Sequence, residues 1–382
     1  MERRSFIRRA GTAGVVAAGA GLLASCGKKD AAASAAGQAA SVAAPAVVEV
    51  KQLRWRLASS FPKSLDTIYG AAETFARKVG EMTGGKFQIS THAGGELMPA
   101  FGVVDGVQNA TVEMAHTAPY YFFGKDATFA LACAIPFGLN SRQMTAWMYD
   151  GNGLKLIREF YRNYNIISFP GGNTGAQMGG WYRKELKSVA DLKGLKMRIG
   201  GFAGKVLERL GAVPQNIPGG EIYQALEKGT IDAAEWVGPY DDQKLGFNKV
   251  APNYAYPGWW EGGPQLDFLI NVKAYDGLSA EHKAIIESAA AYAHTEMQAR
   301  YDARNPGALR ELVKGGTKLF VFPKDVMQAA FKQAMELYSE LSNTNPNWKK
   351  VYEDYAKFRG DQNLWFRFSE ASFDSFMQQQ KL

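Results

Sequence analysis

Arg198 is the side chain best suited in this sequence to hold an acid. It closes the run Lys196-Met197-Arg198, which reads as a strand end, and stands just before Gly200-Gly201. A guanidinium is planar, permanently charged and forked, so it can grip a carboxylate through two parallel hydrogen bonds. A surface salt bridge is the other use for such a residue, and a buried strand end favours the first. Glu235, in the apolar stretch 233–237, raises the opposite question. A carboxylate beside a bound acid repels it unless a cation stands between them, or unless Glu235 is simply the partner of Arg198. Tyr120, Tyr121, Phe202, Trp236, Trp259 and Trp260 supply aromatic surface of the kind that walls a small apolar cleft. Each is equally an ordinary core residue. Tyr120, Tyr121 and Trp236 stand out because they fall at the ends of predicted strands. Asn173, set among glycines, is either a donor to a ligand oxygen or a turn residue.

Signatures of catalysis are missing from the sequence. There is no G-x-S-x-G elbow and no H-E-x-x-H helix. Residues 200–205 look like a phosphate loop, but Ile199 takes the place of its first glycine and Val206 that of its Ser/Thr. The glycine runs at 171–175 and 258–263 read as tight turns after strands, which is also where α/β proteins bind ligands. The four histidines are scattered: His282 and His294 read as solvated on a long helix, and His116 as a structural residue ending a strand. Two cysteines, Cys26 and Cys133, leave no disulfide framework and no cysteine-rich metal cluster.

The elements that must position these groups alternate along the chain. Leu53, Trp55 and Leu57 alternate with polar residues and predict a strand. Ile68, Ala72, Phe75, Val79 and Met82 fall at helical spacing, stopped by Gly84-Gly85. Further strands are expected at 86–91, 112–117, 166–169, 197–199, 233–237 and 266–271. Helices are expected at 103–110, at 144–164 with a break near 151–153, at 203–210, at 222–228 and at 280–304, the last ending before Asn305-Pro306. From Val326 onward the pattern is almost wholly helical. Such alternation predicts an α/β fold with largely parallel sheets.

The chain opens with an address. Arg3-Arg4-Ser5-Phe6-Ile7 followed by an Ala/Gly-rich run is a twin-arginine export pattern, too short to span a bilayer stably. Leu23-Ala24-Ser25-Cys26 resembles a lipoprotein cleavage box, with lipid attached to Cys26. Removing 1–25 takes away four arginines and one glutamate, so the formal charge of +7 falls to +4. No basic patch with interleaved aromatics remains, and nucleic-acid binding is not expected. Residues 27–49 carry no apolar side chain larger than valine, at Val42, Val47 and Val48, and read as a flexible tether.

The chain resembles the periplasmic solute-binding subunits of tripartite ATP-independent periplasmic (TRAP) transporters, and among them the group that binds 2-oxo acids. The resemblance rests on the stretches 55–66 and 169–181, on Lys196-Met197-Arg198, on Gly229-Thr230-Ile231-Asp232-Ala233-Ala234-Glu235, and on Trp259-Trp260-Glu261-Gly262-Gly263-Pro264. It implies two α/β domains, a hinge, an interdomain cleft and no catalysis. By this resemblance, 50–172 with 262–303 form one domain and 173–261 with 304–342 the other. Residues 343–382 then form C-terminal dimerisation helices. Arg198 would bind the carboxylate of a small 2-oxo monocarboxylate such as pyruvate. Gln177, Glu235 and the Trp236 carbonyl, with Glu261 as a further ligand, would hold a cation. All are oxygen donors, as sodium or calcium requires. Sodium is the expected ion and balances the charge if Glu235 is the sole acidic ligand; calcium is the alternative and does so if Glu261 joins it. No organic cofactor is implied. The partners implied are the membrane permease and a second copy of the chain. A binder of a 2-hydroxy acid such as lactate with calcium fits the same pattern, and a Tat-exported enzyme is the alternative of a different class.

Overall fold

The computed structural model describes residues 52–380. The twin-arginine stretch, Cys26 and the tether lie outside the described residues. In chain order the strands are β1 (Leu53–Ser59), β2 (Phe87–His92), β3 (Met114–Thr117), β4 (Ile166–Asn173), β5 (Trp181–Tyr182), β6 (Lys196–Arg198), β7 (Val213–Gln215), β8 (Ala233–Ala234), β9 (Asn253–Tyr256), β10 (Gln265–Asn271) and β11 (Lys318–Val321). They form two sheets, ordered β2-β1-β3-β10-β4 and β11-β9-β5-β8-β6-β7.

The expected parallel character is diluted by one reversed strand in each sheet. β10 runs antiparallel to β3 and β4, and β5 runs antiparallel to β8 and β9. The chain leaves one sheet for the other and returns, and each reversed strand is the first laid down after such a crossing. Residues 174–180 make the first crossing, from β4 to β5, and residues 257–264 the second, from β9 back to β10.

β4 and β10 are buried along their whole length, which explains their near-continuous apolar runs. On one face of the first sheet the helix Gly70–Met82 packs Phe75 flat on Phe268, with ring centroids 4.3 Å apart. In the second sheet Trp181 stacks on Tyr254 at 3.9 Å, and both donate to the buried Asp242 carboxylate, at 2.9 and 2.7 Å.

Two helical expectations need correction. The helix that begins at Ala280 does not end before Asn305-Pro306 but runs to Lys314, with Pro306 inside it. Proline there removes one backbone donor, and tertiary packing overrides the local signal. The buried side chains Ala308 and Leu312 hold the far side of the proline against the core, and Asn305 Oδ1 accepts from the Tyr240 amide at 3.0 Å. His294 is likewise not solvated. It is buried against the first sheet, where Gly172 N donates to its Nδ1 at 3.3 Å and its Nε2 meets Thr145 Oγ1 at 3.2 Å. Burial pushes its pKa down to about 4.

The C-terminal helices Lys324–Thr344, Pro346–Phe368 and Glu370–Met377 divide in their behaviour. The start of the second folds onto its own chain: Trp348 stacks on Phe202 at 5.4 Å, and Leu139 N donates to Tyr355 Oη at 2.7 Å. Beyond it Leu364, Trp365, Phe368, Phe373 and Phe376 are exposed by 58–70%.

Candidate functional site

Parallel pairing sets Arg198 beside Ala234, so the residue after β8, Glu235, lies against the guanidinium. Arg198 Nη1 donates to the Glu235 carbonyl at 2.7 Å and to Glu235 Oε1 at 2.5 Å, and Nε donates to the Ile217 carbonyl at 3.0 Å. Gly200 N donates to the same Glu235 oxygen at 2.8 Å. The pair is fully buried, and the Arg198 guanidinium lies 5.0 Å from the Trp236 ring centroid. The two readings of Glu235 therefore do not exclude each other: the ion pair is made, and it leaves Arg198 Nη2 and Glu235 Oε2 free.

The two crossings bring the remaining polar atoms. Gln177, on the first, donates its backbone N–H to the Glu261 carbonyl at 3.1 Å, and its carbonyl accepts from Gly258 N at 3.0 Å. The crossings are thus bonded to each other through their backbones. The Gln177 amide nitrogen donates to Thr174 Oγ1 at 3.1 Å, which leaves its oxygen unpartnered. Glu261 is 2% exposed, and its Oε2 is also free.

These free atoms are costly. A buried polar atom without a partner loses about 1–3 kcal/mol, and more if charged. Burial and the neighbouring Glu235 charge push the Glu261 carboxyl well above the usual range. Burial raises Glu235 as well, outweighing Arg198. Burial and the acidic neighbours keep the Tyr120 hydroxyl protonated far into the alkaline range. Burial likewise raises Tyr121, partly offset by Arg198.

Beside this group lies a narrow cavity with room for about one water molecule, walled by Tyr120, Tyr121, Gln177 and Trp236 with apolar Phe61, Ile68 and Leu266. Gly201, at φ +57°, lets the chain pass the Tyr120 ring; a Cβ there would stand 2.7 Å from it.

Arg198, Glu235, Trp236, Gln177, Glu261, Tyr120 and Tyr121 are thus brought into one region. Asn173 has its amide engaged on both sides, by the Gly263 carbonyl at 3.0 Å and Gly175 N at 2.9 Å, and serves the turn. Phe202 faces Phe123, Tyr338 and Trp348. Trp259 stacks on Phe137 and packs against Trp260. In the sequence Ile68 and Leu266 read only as parts of a helix and a strand, and Phe61, two residues beyond the end of β1, is not singled out as a cavity residue.

The donor set fits a hard cation. Gln177 Oε1, Glu235 Oε2 and Glu261 Oε2 are oxygens, buried and unpartnered. No cluster of three or more His, Cys, Asp or Glu occurs among the described residues, so a zinc-type site is not built there. Arg198 with two carboxylates carries one net negative charge, which a divalent ion and a monocarboxylate together neutralise.

Comparison with known proteins fits this arrangement. The profile of the bacterial extracellular solute-binding protein family 7 (DctP) matches residues 58–345. A monocarboxylate 2-oxoacid-binding periplasmic protein of Nostoc sp. is 51% identical over 324 residues, covering 85% of this chain and 89% of that protein. A TRAP transporter solute-binding protein from Bordetella bronchiseptica is 51% identical with a TM-score of 0.84, covering 85% of this chain and 97% of its own; it was solved as a dimer, with copurified calcium and picolinate in one active site and the other apo. A relative from Colwellia psychrerythraea, 38% identical with a TM-score of 0.82 over 85% of this chain and 99% of its own, holds calcium and pyruvate. One from Pseudoalteromonas atlantica, 39% identical with a TM-score of 0.82 over 87% of this chain and all of its own, holds sodium and pyruvate. The family is one of binding proteins, which removes the exported enzyme as an alternative. With a family profile spanning most of the folded body and 51% identity to a relative over 324 residues, the chain belongs to the family 7 solute-binding proteins of TRAP transporters, which work outside the cytoplasm.

Proposed function

We propose that this protein binds a small 2-oxo monocarboxylate, pyruvate or a near homologue, together with calcium, and delivers it to a TRAP permease in the membrane. The observation that carries the reading is a set of buried, unpartnered atoms, Arg198 Nη2, Gln177 Oε1, Glu235 Oε2 and Glu261 Oε2, of which Gln177 also lines the small cavity. The free arm of Arg198 takes the acid's carboxylate. The three oxygens, with the Trp236 carbonyl, would hold the cation, whose charge would offset the second carboxylate and offer the acid's oxygens a chelating partner. Neutral Tyr120 and Tyr121 hydroxyls repel no anion, and the apolar wall limits chain length.

Calcium is preferred over the sodium expected from sequence because Glu261 is buried with Glu235 and raises the acidic count to two. The cleft lies between a lobe drawn from 50–172 with 262–303 and one drawn from 173–261 with 304–342. Before it works, the chain is exported through its twin arginines and tethered by lipid on Cys26. It pairs with a second copy through the exposed aromatic end of its C-terminal helices.

Calorimetry on the purified mature chain tests the ligand assignment. Pyruvate binds in calcium and loses most of its affinity after chelation into choline salts. Equal affinity with and without the cation removes the metal. Tighter binding of lactate than pyruvate moves the assignment to 2-hydroxy acids.

A further inference from the structure

The segment from the end of β1 to the helix Gly70–Met82 does more than wall the cavity. Phe61 and Ile68 face that space. Asp66, between them in sequence, is engaged elsewhere. Its two carboxylate oxygens each accept from the Tyr240 hydroxyl at 3.2 Å, Oδ2 accepts from Arg304 Nη1 at 2.9 Å, and Oδ1 pairs with Lys244 Nζ. Arg304 Nη1 also donates to Thr67 Oγ1 at 3.2 Å and to the Tyr240 hydroxyl at 3.1 Å. Its guanidinium lies 4.9 Å from the Tyr240 ring centroid, and Lys244 Nζ lies 4.4 Å from it.

The placement of these groups ties them to the ligand site. Tyr240 and Lys244 belong to the helix Pro239–Leu245, which starts two residues after the cavity-wall residue Val237. One short segment of each lobe therefore carries both a cavity wall and one half of the ionic cluster, and Arg304 of the long helix joins the halves. A movement that parted the walls would have to part the cluster as well.

We infer that Asp66 is a positioning residue, the catch of an ionic latch between the lobes that sets how fast a bound acid leaves. The inference rests on the two-lobed binding reading above. The Asp66, Lys244 and Arg304 side chains are 49%, 31% and 35% exposed, so salt reaches the latch while the buried Arg198–Glu235 pair is shielded. Lys244 and Arg304 hold the Asp66 carboxyl below its usual range despite partial burial, so it is charged at neutral pH.

The test compares wild type, Asp66→Asn and Asp66→Glu, each loaded with calcium and pyruvate and followed by tryptophan fluorescence as ligand dissociates. At low salt Asp66→Asn releases pyruvate about threefold to tenfold faster, as loss of a small exposed ion network allows, with little change in association. Added salt speeds wild type toward the variant and leaves the variant unmoved; Asp66→Glu recovers part of the difference. Equal release rates at low salt, or a salt response unchanged by the substitution, overturn the latch. If neither protein binds pyruvate, the ligand assignment falls, and small-angle scattering of the ligand-free proteins judges the latch. A larger radius of gyration in Asp66→Asn supports it, and superimposable profiles overturn it.

Discussion

Arg198 and Glu235 meet because β6 and β8 run parallel with Arg198 opposite Ala234. Lysine in place of Arg198 is a point donor that cannot both hold Glu235 and reach a ligand. Arg198→Lys therefore costs about 1.5–3 kcal/mol of binding, the range of one charge-assisted hydrogen bond, and calorimetry reads this as a loss of pyruvate affinity of about tenfold or more. A folded variant with wild-type affinity removes Arg198 from the site. The buried acids predict a pH response. Burial first, and Glu235 next, raise Glu261; burial lifts Asp242 to about 7 and Asp267 to about 8. Groups whose folded pKa is raised hold their protons longer in the folded state, so their stabilisation is lost as pH rises through those values. His116 and His294, lowered to about 4, act in the opposite sense only below their ordinary value near 6.5. Chelated protein should therefore lose thermal stability between pH 6.5 and 8.5, and Glu261→Gln should flatten the slope; a midpoint rising with pH over that window contradicts the assignment. At this scale the polar residues of the site were legible because charge and donor type are written in the side chain. Whether the Asn173 amide is spent in a turn was not, because that depends on Gly263, 90 residues away.

Long amphipathic elements were legible and short ones were less so. The helix Gly70–Met82, stopped by Gly84 and Gly85 at φ +56° and +80°, and the break between Ser141–Tyr149 and Gly153–Arg162 follow local signals. β5 is two residues long, too short to show a period, and exists because neighbouring strands pair with it, whereas the strand expected at 233–237 is cut back to Ala233–Ala234. The persistence of the long helix through Pro306 is decided by packing at Ala308 and Leu312, which no local rule contains. The folded-back helix offers a test at this scale. Tyr355 Oη is the acceptor for the buried Leu139 N–H, and its removal leaves that donor unpaired. Tyr355→Phe should destabilise the protein by about 1–3 kcal/mol, read as a lower midpoint in urea with unchanged slope. An unaltered midpoint means that the bond contributes nothing.

At the scale of the whole molecule, the stretch from Leu364 to Phe376 sets a row of large apolar side chains outside the body. Exposed surface of this kind marks a contact, and the first half of the same helix is already committed to its own chain through Trp348, Val351 and Tyr355. Truncation after Gly360 therefore removes the exposed part and leaves the buried part in place. Sedimentation should find the full mature chain as a dimer at micromolar concentration and the truncated chain as a soluble monomer. A monomeric full-length protein refutes the pairing. Sequence showed how aromatic this terminus is, but not which half folds back, because both halves have the same composition and differ in what stands opposite them.

The ion pair made by Arg198 and Glu235 before any ligand arrives has a consequence for loading. An acid alone meets a region already neutralised on one side and carrying Glu261 on the other; a cation alone leaves a free guanidinium arm unfilled. Each solute is therefore a poor guest without the other, and the site acts as a coincidence detector whose output is the joint presence of metal and acid. Such coupling is reciprocal by thermodynamic necessity: saturating pyruvate must strengthen calcium binding by the same factor by which saturating calcium strengthens pyruvate binding. Two titrations measure that factor from opposite sides, and a factor of one would mean that the solutes ignore each other. A carrier built this way stays empty in a compartment that supplies the acid but lacks the ion.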